Sequence, residues 1–111
     1  RERRQSNRFR IGNRCLITGR RSALYTSVQN ISRGGLSVSG QTPFEEGEEV
    51  SVRIMADGRR ETVIRSRVVW TRADEDDAPR GMGAQFLEIT SGDQLLDDLL
   101  DNVQQNGEGE P

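Results

Sequence analysis

The sequence predicts an all-β protein, a small six-stranded antiparallel β-barrel with a flexible N-terminal arm and one C-terminal amphipathic α-helix. Three observations support this fold class. Short runs of β-forming residues, separated by turn residues, recur about every 8–12 residues through most of the chain. Near residue 90 the hydrophobic period changes from that of a strand to that of a helix. The first twelve residues are rich in arginine and have no hydrophobic period.

The length of 111 residues suits one domain with a single modest core. We expect a single domain over residues 1–111, made of an arginine-rich arm (1–12), the β-barrel (13–89), the helix (90–106) and a flexible tail (107–111). The chain begins with Arg rather than Met. We therefore expect either that its N-terminus was trimmed or that it follows another segment. No run of 18 apolar residues predicts a membrane span, and no signal peptide is recognisable.

The first half of the barrel is predicted from three β-rich runs. Residues 15–18 and 23–31 are separated by the tetrapeptide Gly-Arg-Arg-Ser, which indicates a hairpin. Gly34 and Gly35 then turn the chain into a further strand at 36–40.

The next strand is predicted from Val50, Val52 and Ile54, which alternate with polar residues as in a half-buried strand. It is followed by Asp57-Gly58, a strong hairpin turn. A second run at 61–71 is therefore expected to pair with it.

The last two strands are separated by an acidic, proline-containing segment at 72–80, which we expect to be a solvated loop. The strand before it, at 61–71, is predicted to place four side chains on one face: Ile64, Ser66, Val68 and Trp70. The strand after it, at 81–89, contains Gly81 and Gly83, which permit tight curvature or close approach of another backbone.

The C-terminal helix is predicted from an apolar stripe made of Leu95, Leu96, Leu99, Leu100 and Val103. Ser91 and Gln94 fit a capping box at its start, and Gly107 is expected to end it. The stripe either packs on the barrel or forms an interface with a second copy or a partner.

The charge of the chain is strongly asymmetric. Residues 1–33 hold nine arginines and one acid, a net charge of +8, whereas residues 34–111 hold seven arginines and 17 acids, a net charge of −10. No lysine is present, so the basic end consists of arginine alone, which can form two parallel hydrogen bonds to a phosphate. A basic arm on an acidic body favours a compact anionic ligand over long nucleic acid.

The sequence contains few of the side chains that hydrolytic or metal chemistry requires, and we do not expect an enzyme. The sequence has no histidine and one cysteine, which excludes a Ser-His-Asp triad and a zinc cluster. The acidic run at 74–77 lacks the spaced ligands of a calcium loop. Cys15 is expected to be a small buried hydrophobic residue, compatible with a reducing cytoplasm.

Arg4 and Arg8 form an Arg-x-x-x-Arg pattern in the arm, flanked by Arg3 and Arg10. Two arginines at this spacing can hold one phosphate diester from two sides, or cover a purine face with a guanidinium plane. The same spacing arises by chance in an arginine-rich arm, so a solvated basic tail is the alternative.

The segment Asn-Ile-Ser-Arg-Gly-Gly at 30–35 is the second candidate. Asn30 and Ser32 are two residues apart, so at a strand end their side chains emerge on one face, while Ile31 enters the core. Asn30 offers a donor and an acceptor to a base edge, and Ser32 offers a hydroxyl to a phosphate oxygen. Gly35 permits a ligand to approach the backbone. The alternative is an Asx- or Ser-turn that enters a hairpin.

Together the two patterns resemble the PilZ domain, the bacterial receptor module for cyclic di-GMP. That family carries R-x-x-x-R in an N-terminal arm and [D/N]-x-S-x-x-G on the barrel. Here these read RQSNR at 4–8 and NISRGG at 30–35, with 22 positions from Arg8 to Asn30. The later segments GLSVSG, IRSRVVW and GMGAQF and the terminal helix are also similar, so the resemblance covers nearly the whole chain.

The resemblance implies a role for each matching residue. Arg4 and Arg8 would bind the phosphates and stack on, or hydrogen-bond to, the guanines of the ligand. Arg3 would be an auxiliary contact that influences whether one or two ligand molecules bind. The contacts on the barrel would be Asn30, Ser32, Gly35 and Trp70, although Trp70 fits a core position equally well.

Position 30 departs from the commonest form of the pattern, because it is Asn where many family members have Asp. An amide loses the strong acceptance of a carboxylate from a guanine edge, but it also removes a negative charge beside the phosphates. The affinity could change in either direction.

The sequence therefore predicts a cytoplasmic cyclic di-GMP receptor, monomeric or dimeric, that orders its arm over the barrel and signals to a protein partner or an attached domain. No cofactor, membrane or long nucleic acid is expected. Two alternatives stay open, a small barrel that binds RNA or DNA through its arm and a PilZ-like scaffold that binds no nucleotide. The downstream process is not predicted.

Overall fold

A computed structural model describes residues 11–56, 60–72 and 80–108, except for the side chains of 102–108. The arm up to residue 10 lies outside the described residues. So do the Asp57-Gly58 turn, the acidic segment at 73–79 and the last three residues.

The described residues form one antiparallel sheet of seven strands and one helix. The strands are β1 (Arg14–Thr18), β2 (Ala23–Ser27), β3 (Asn30–Ser32), β4 (Gly35–Ser39), β5 (Glu49–Met55), β6 (Glu61–Arg72) and β7 (Gly81–Ser91), and the helix is α1 (Asp93–Glu108). Their order in the sheet is β2-β1-β5-β6-β7-β4-β3. The predicted fold class, an all-β protein with one C-terminal helix, is confirmed, and the predicted barrel is a curled antiparallel sheet.

The two edge strands of the sheet are consecutive in the chain. Val28 N donates to Asn13 O at 2.8 Å, on the β1 side, and Gln29 N donates to Ser37 O at 2.8 Å, on the β4 side. Within two residues the chain thus passes from one edge of the sheet to the other, which requires the sheet to curl. The run predicted as one strand at 23–31 is therefore two strands, so the described residues form seven strands where six were predicted.

The inward faces of the strands form a single apolar core. Val50, Val52 and Ile54 are buried and alternate with exposed residues, as their period of two predicts. Cys15 and Ile17 pair with this strand and are fully buried beside it. Burial raises the pKa of the Cys15 thiol to about 11, so the thiol stays protonated and unreactive at neutral pH, as expected for a structural cysteine.

Strand β6 contains an extra residue that changes the orientation of its end. Val68 pairs with Ala84 and Trp70 pairs with Gly83, so Val69 is a β-bulge, and its side chain is 46% exposed. Before the bulge, Ile64 and Val68 point into the core. After it, Trp70 lies on the outer face, and the prediction that it shares a face with Ile64, Ser66 and Val68 is wrong.

The helix begins three residues later than predicted and extends two residues further. Ser91 belongs to β7, and its carbonyl accepts a hydrogen bond from Thr62 Oγ1 at 3.1 Å. Leu96 N donates to Gly92 O at 3.1 Å, so Gly92, with φ +77°, is the residue that caps the helix. The predicted capping box is wrong, and the helix runs one residue past Gly107, to Glu108.

The leucine stripe packs on the barrel. Leu95, Leu96 and Leu100 are buried, and Leu99 contacts the core cluster. Two exposed ion pairs also join the barrel to the helix, Arg33–Asp97 at 3.0 Å and Arg60–Asp98 at 3.2 Å. The stripe was expected either to pack on the barrel or to form an interface, and the described leucines pack on the barrel.

None of the described helical residues forms a segment long and apolar enough to cross a membrane.

Candidate functional site

The outer face of β3, β4, β7 and β6 carries the candidate site, which we call the outer groove. Asn30 and Ser32 lie on this face, whereas Ile31 between them is fully buried in the core, as predicted. The pairing register then assigns residues of the other strands to the same face, because directly paired residues share a side of the sheet.

Three parallel rows of residues cross the outer groove. The first row is Ser32, Gly35, Gln85 and Arg67. The second row is Asn30, Ser37, Gly83 and Trp70. The third row is Ser39, Gly81 and Arg72. Apart from Gln85, the middle of the rows consists of glycine or serine, so the floor is low there, and the largest side chains stand on the β6 side.

The glycine at position 83 determines where the tryptophan lies. A Cβ at Gly83 would overlap the indole of Trp70, meeting Nε1 and lying 2.9 Å from Cδ1. The indole therefore occupies the space that a side chain on β7 would fill. Because Met82 and Ala84 on either side of Gly83 point into the core, this contact also establishes that Trp70 faces outward.

The glycine at position 35 is required by the sheet itself. A Cβ at Gly35 would meet the carbonyl oxygen of Ala84, and it would lie 3.3 Å from Gln85 Cα. Strands β4 and β7 could not keep their pairing around such a side chain. The close approach at Gly35 is thus to β7, and the predicted approach of a ligand to this residue stays a prediction.

The polar side chains of the motif are engaged in local hydrogen bonds. Gly34 N donates to Ser32 Oγ at 3.2 Å, and the Asn30 amide donates to Ser37 Oγ at 3.4 Å. The Ser-turn considered as an alternative is therefore present. The Ser32 hydroxyl also donates to Gly35 O, at the long distance of 3.5 Å. A turn and a binding surface are compatible here, because this long bond can be exchanged for one to a ligand and the Asn30 carbonyl oxygen can still accept.

A cavity of about 470 Å³ lies over this face. Ser32, Gly35 and Trp70 line it, together with Ser37, Gly83 and Gln85. Asn30 borders it through its hydrogen bond to Ser37. No charged side chain is among the described residues that line the cavity. A ligand with two negative charges would need cations from outside this lining.

Two described arginines flank Trp70. The guanidinium carbon of Arg72 lies 4.9 Å from the centroid of the Trp70 ring, a cation–π contact. Arg67 ends the neighbouring row and is exposed. Neither arginine is among the residues predicted from the sequence. Strict alternation along β6 would put Arg67 and Arg72 on opposite faces, so only the bulge at Val69 could have indicated them.

A larger cavity of about 700 Å³ lies over β1, β5 and β6. Arg65 lines this cavity, and its charge is neutralised by ion pairs with Glu49 at 3.1 Å and with Glu88 at 3.3 Å. These hydrogen bonds, first that to Glu49, raise the pKa of Arg65. Because its charge is already compensated, this cavity is a poor site for an anion.

No group of side chains within the described ranges could hold a metal ion. The acidic run at 74–77 falls outside these ranges. Metal binding by that run is therefore not tested.

The sequence matches the PilZ domain family over residues 2–102. The chain belongs to the PilZ domain family. A comparison with curated protein sequences found no match.

Two solved structures share the fold of this PilZ domain. The Bacillus subtilis inhibitor of motility, MotI/DgrA, aligns with a TM-score of 0.76 and 24% identity over 98% of this chain and 53% of that one. The PilZ domain of YcgR from Escherichia coli, solved with c-di-GMP, aligns with a TM-score of 0.70 and 13% identity over 96% of this chain and 95% of that one. This chain therefore spans about half the length of the Bacillus protein.

Of the seven predicted ligand-binding residues, the structure brings four to the outer groove: Asn30, Ser32, Gly35 and Trp70. The other three, Arg3, Arg4 and Arg8, lie outside the described residues. Their roles in this PilZ domain stay predictions.

Proposed function

We propose that this PilZ domain is a cyclic di-GMP receptor, in which the outer groove binds the dinucleotide and the N-terminal arm covers it. The arrangement of Asn30, Ser32, Gly35 and Trp70 around one groove carries this proposal. These residues come from three separate elements, β3, β4 and β6. The presence of c-di-GMP in the Escherichia coli YcgR structure, which has the same fold, supports the same ligand.

The chemistry of the outer groove fits a planar base linked to a phosphate. The Trp70 indole offers an aromatic surface beside a floor of glycine and serine, which leaves room for a base to stack. The Ser32 hydroxyl and the Asn30 amide offer hydrogen-bonding groups at the opposite side. Since the described lining is uncharged, the arm arginines Arg4 and Arg8 are proposed to neutralise the phosphates.

Coverage by the arm is energetically feasible. Fixing each residue of a mobile segment costs on the order of 1 kcal/mol. Each hydrogen bond to a charged group returns roughly 1.5–3 kcal/mol, so several arginine–phosphate contacts offset the ordering of a short arm. The position of the arm then depends on the ligand and can be read by a partner protein or an attached domain.

Titration with cyclic di-GMP tests the proposal. Trp70 is the one tryptophan in the chain, so its fluorescence reports on the outer groove without a label. We expect calorimetric binding and a change of tryptophan emission that saturate at the same ligand concentration. Binding of an oligonucleotide that weakens steeply with salt, without binding of the dinucleotide, would instead support the nucleic-acid alternative. Calorimetric silence with the dinucleotide would contradict the proposal.

Hydrogen exchange tests the movement of the arm separately. We expect amides of residues 1–10 to exchange more slowly when saturating cyclic di-GMP is present, because the ordered arm forms contacts with the ligand. The amides of β1, which is separated by β5 from the strands of the outer groove, serve as the internal control. Equal exchange of residues 1–10 in both states, under conditions where calorimetry shows binding, would exclude the conformational signal.

The proposed receptor is expected to act in the cytoplasm. The free thiol of Cys15 suits a reducing compartment, since it has no partner for a disulfide in this chain.

A further inference from the structure

Arg67 and Arg72 occupy equivalent positions on either side of Trp70. They are five residues apart, so a regular strand would direct them to opposite faces. The bulge at Val69 adds one residue between them, so both arginines face the outer groove. Their partners on β7 are Gln85 and Gly81, with the partner of Trp70, Gly83, midway between them.

The register gives the spacing of this side of the groove. Residues 81, 83 and 85 are successive outward positions of β7, and neighbouring positions are about 6.8 Å apart at 3.4 Å per residue. The backbones of Arg67 and Arg72 are therefore about 14 Å apart, with the indole between them. A guanidinium at the end of a long flexible side chain can reach inward from both positions toward a ligand over Trp70.

Both arginines lack an acidic partner among the described residues, whereas several other described arginines have one. Arg33, Arg53, Arg60 and Arg65 each form an ion pair. Glu49 lies directly opposite Arg67 on β5, but its carboxylate bonds to Arg65 instead. The described contact of Arg72 is with the ring of Trp70.

We propose that Arg67 and Arg72 form a second cationic side of the outer groove and bind the phosphates of a nucleotide whose base lies over Trp70. This inference rests on the proposed function, and it adds two ligand contacts from the barrel itself. The described lining of the cavity has no charge, and neither guanidinium group has an acidic partner among the described residues. The two arginines beside the cavity therefore provide the positive potential that this lining lacks. The guanidinium fork matches phosphate geometry, and the cation–π contact holds Arg72 close to the base position.

Calorimetry with cyclic di-GMP on single variants tests this proposal. We expect Arg67→Ala and Arg72→Ala each to weaken binding about tenfold or more, as for the loss of a hydrogen bond to a charged group. Arg21→Ala is the matched control, because Arg21 is exposed in the β1–β2 turn and its removal changes the net charge by the same amount. The control is expected to bind within about twofold of the parent.

A second variant separates the charge of Arg72 from its packing on the indole. Arg72→Gln keeps a planar polar group near Trp70 but has no charge, so it is expected to weaken binding about as much as Arg72→Ala. Affinities of Arg67→Ala and Arg72→Gln that both equal that of Arg21→Ala would overturn the second cationic side while the receptor function stands. A parent protein that does not bind would overturn the receptor function, and this inference with it.

Discussion

Gly35→Ala is expected to lower the free energy of unfolding by about 1–3 kcal/mol, because the new Cβ would overlap the carbonyl oxygen of Ala84. That atom belongs to the backbone of β7 and cannot turn aside as a side chain would. The melting temperature measured by circular dichroism should fall by roughly 4–8 °C for each kcal/mol.

Gly34→Ala is the matched control, since the two glycines are adjacent and the substitution is the same. No atom lies within 4 Å of a Cβ built at Gly34, and Gly34 is not among the glycines with positive φ. We expect its stability to equal that of the parent or to rise by up to about 1 kcal/mol, from the reduced freedom of the unfolded chain. Equal melting temperatures of the two variants would refute the explanation given for Gly35.

Arg4→Ala/Arg8→Ala is expected to abolish the calorimetric signal of cyclic di-GMP. Each arginine is proposed to contribute charge-assisted hydrogen bonds of roughly 1.5–3 kcal/mol, so removal of both weakens binding by at least about a hundredfold. The arm precedes the barrel, so the double variant should keep the melting temperature of the parent.

The control for the double variant is Arg20→Ala/Arg21→Ala, which removes the same charge from the β1–β2 turn. If nonspecific attraction between arginine side chains and an anion were responsible for binding, the two double variants would lose similar affinity. A specific role of the arm requires the loss to be confined to Arg4 and Arg8. If the Arg4→Ala/Arg8→Ala variant kept the affinity of the parent, the proposal that these two arginines bind the ligand would be wrong.

The sequence was sufficient to predict the strands whose burial is one-sided. Val50, Val52 and Ile54 alternate because one face of β5 meets the core and the other meets water, and that contrast is visible in the residue types. The leucine stripe of α1 is visible for the same reason. Asn30 and Ser32 could be assigned to one face because the short strand that carries them is regular.

The features that were not predicted depend on backbone geometry that residue types do not reveal. Gly92 caps the helix through its own carbonyl, and the Ser91–Gln94 pair only imitates the side-chain pattern of a cap. The break at Val28 and Gln29 interrupts an unbroken run of β-forming residues, because it arises from the curl of the whole sheet. Val69 looks like any other strand residue, yet its bulge reverses the face of Trp70.

The bulge at Val69 has a consequence for how relatives of this chain are aligned. A homologue with a regular strand here needs one residue fewer between the core valine equivalent to Val68 and an outward tryptophan. An alignment without gaps would then pair Trp70 with a residue of the homologue that faces the core. The homologue would wrongly be judged to lack the aromatic side chain. A gap of one residue at position 69 restores the correspondence. The aromatic side of the groove is therefore identified by which residues of the strand face outward, and not by their column in an alignment.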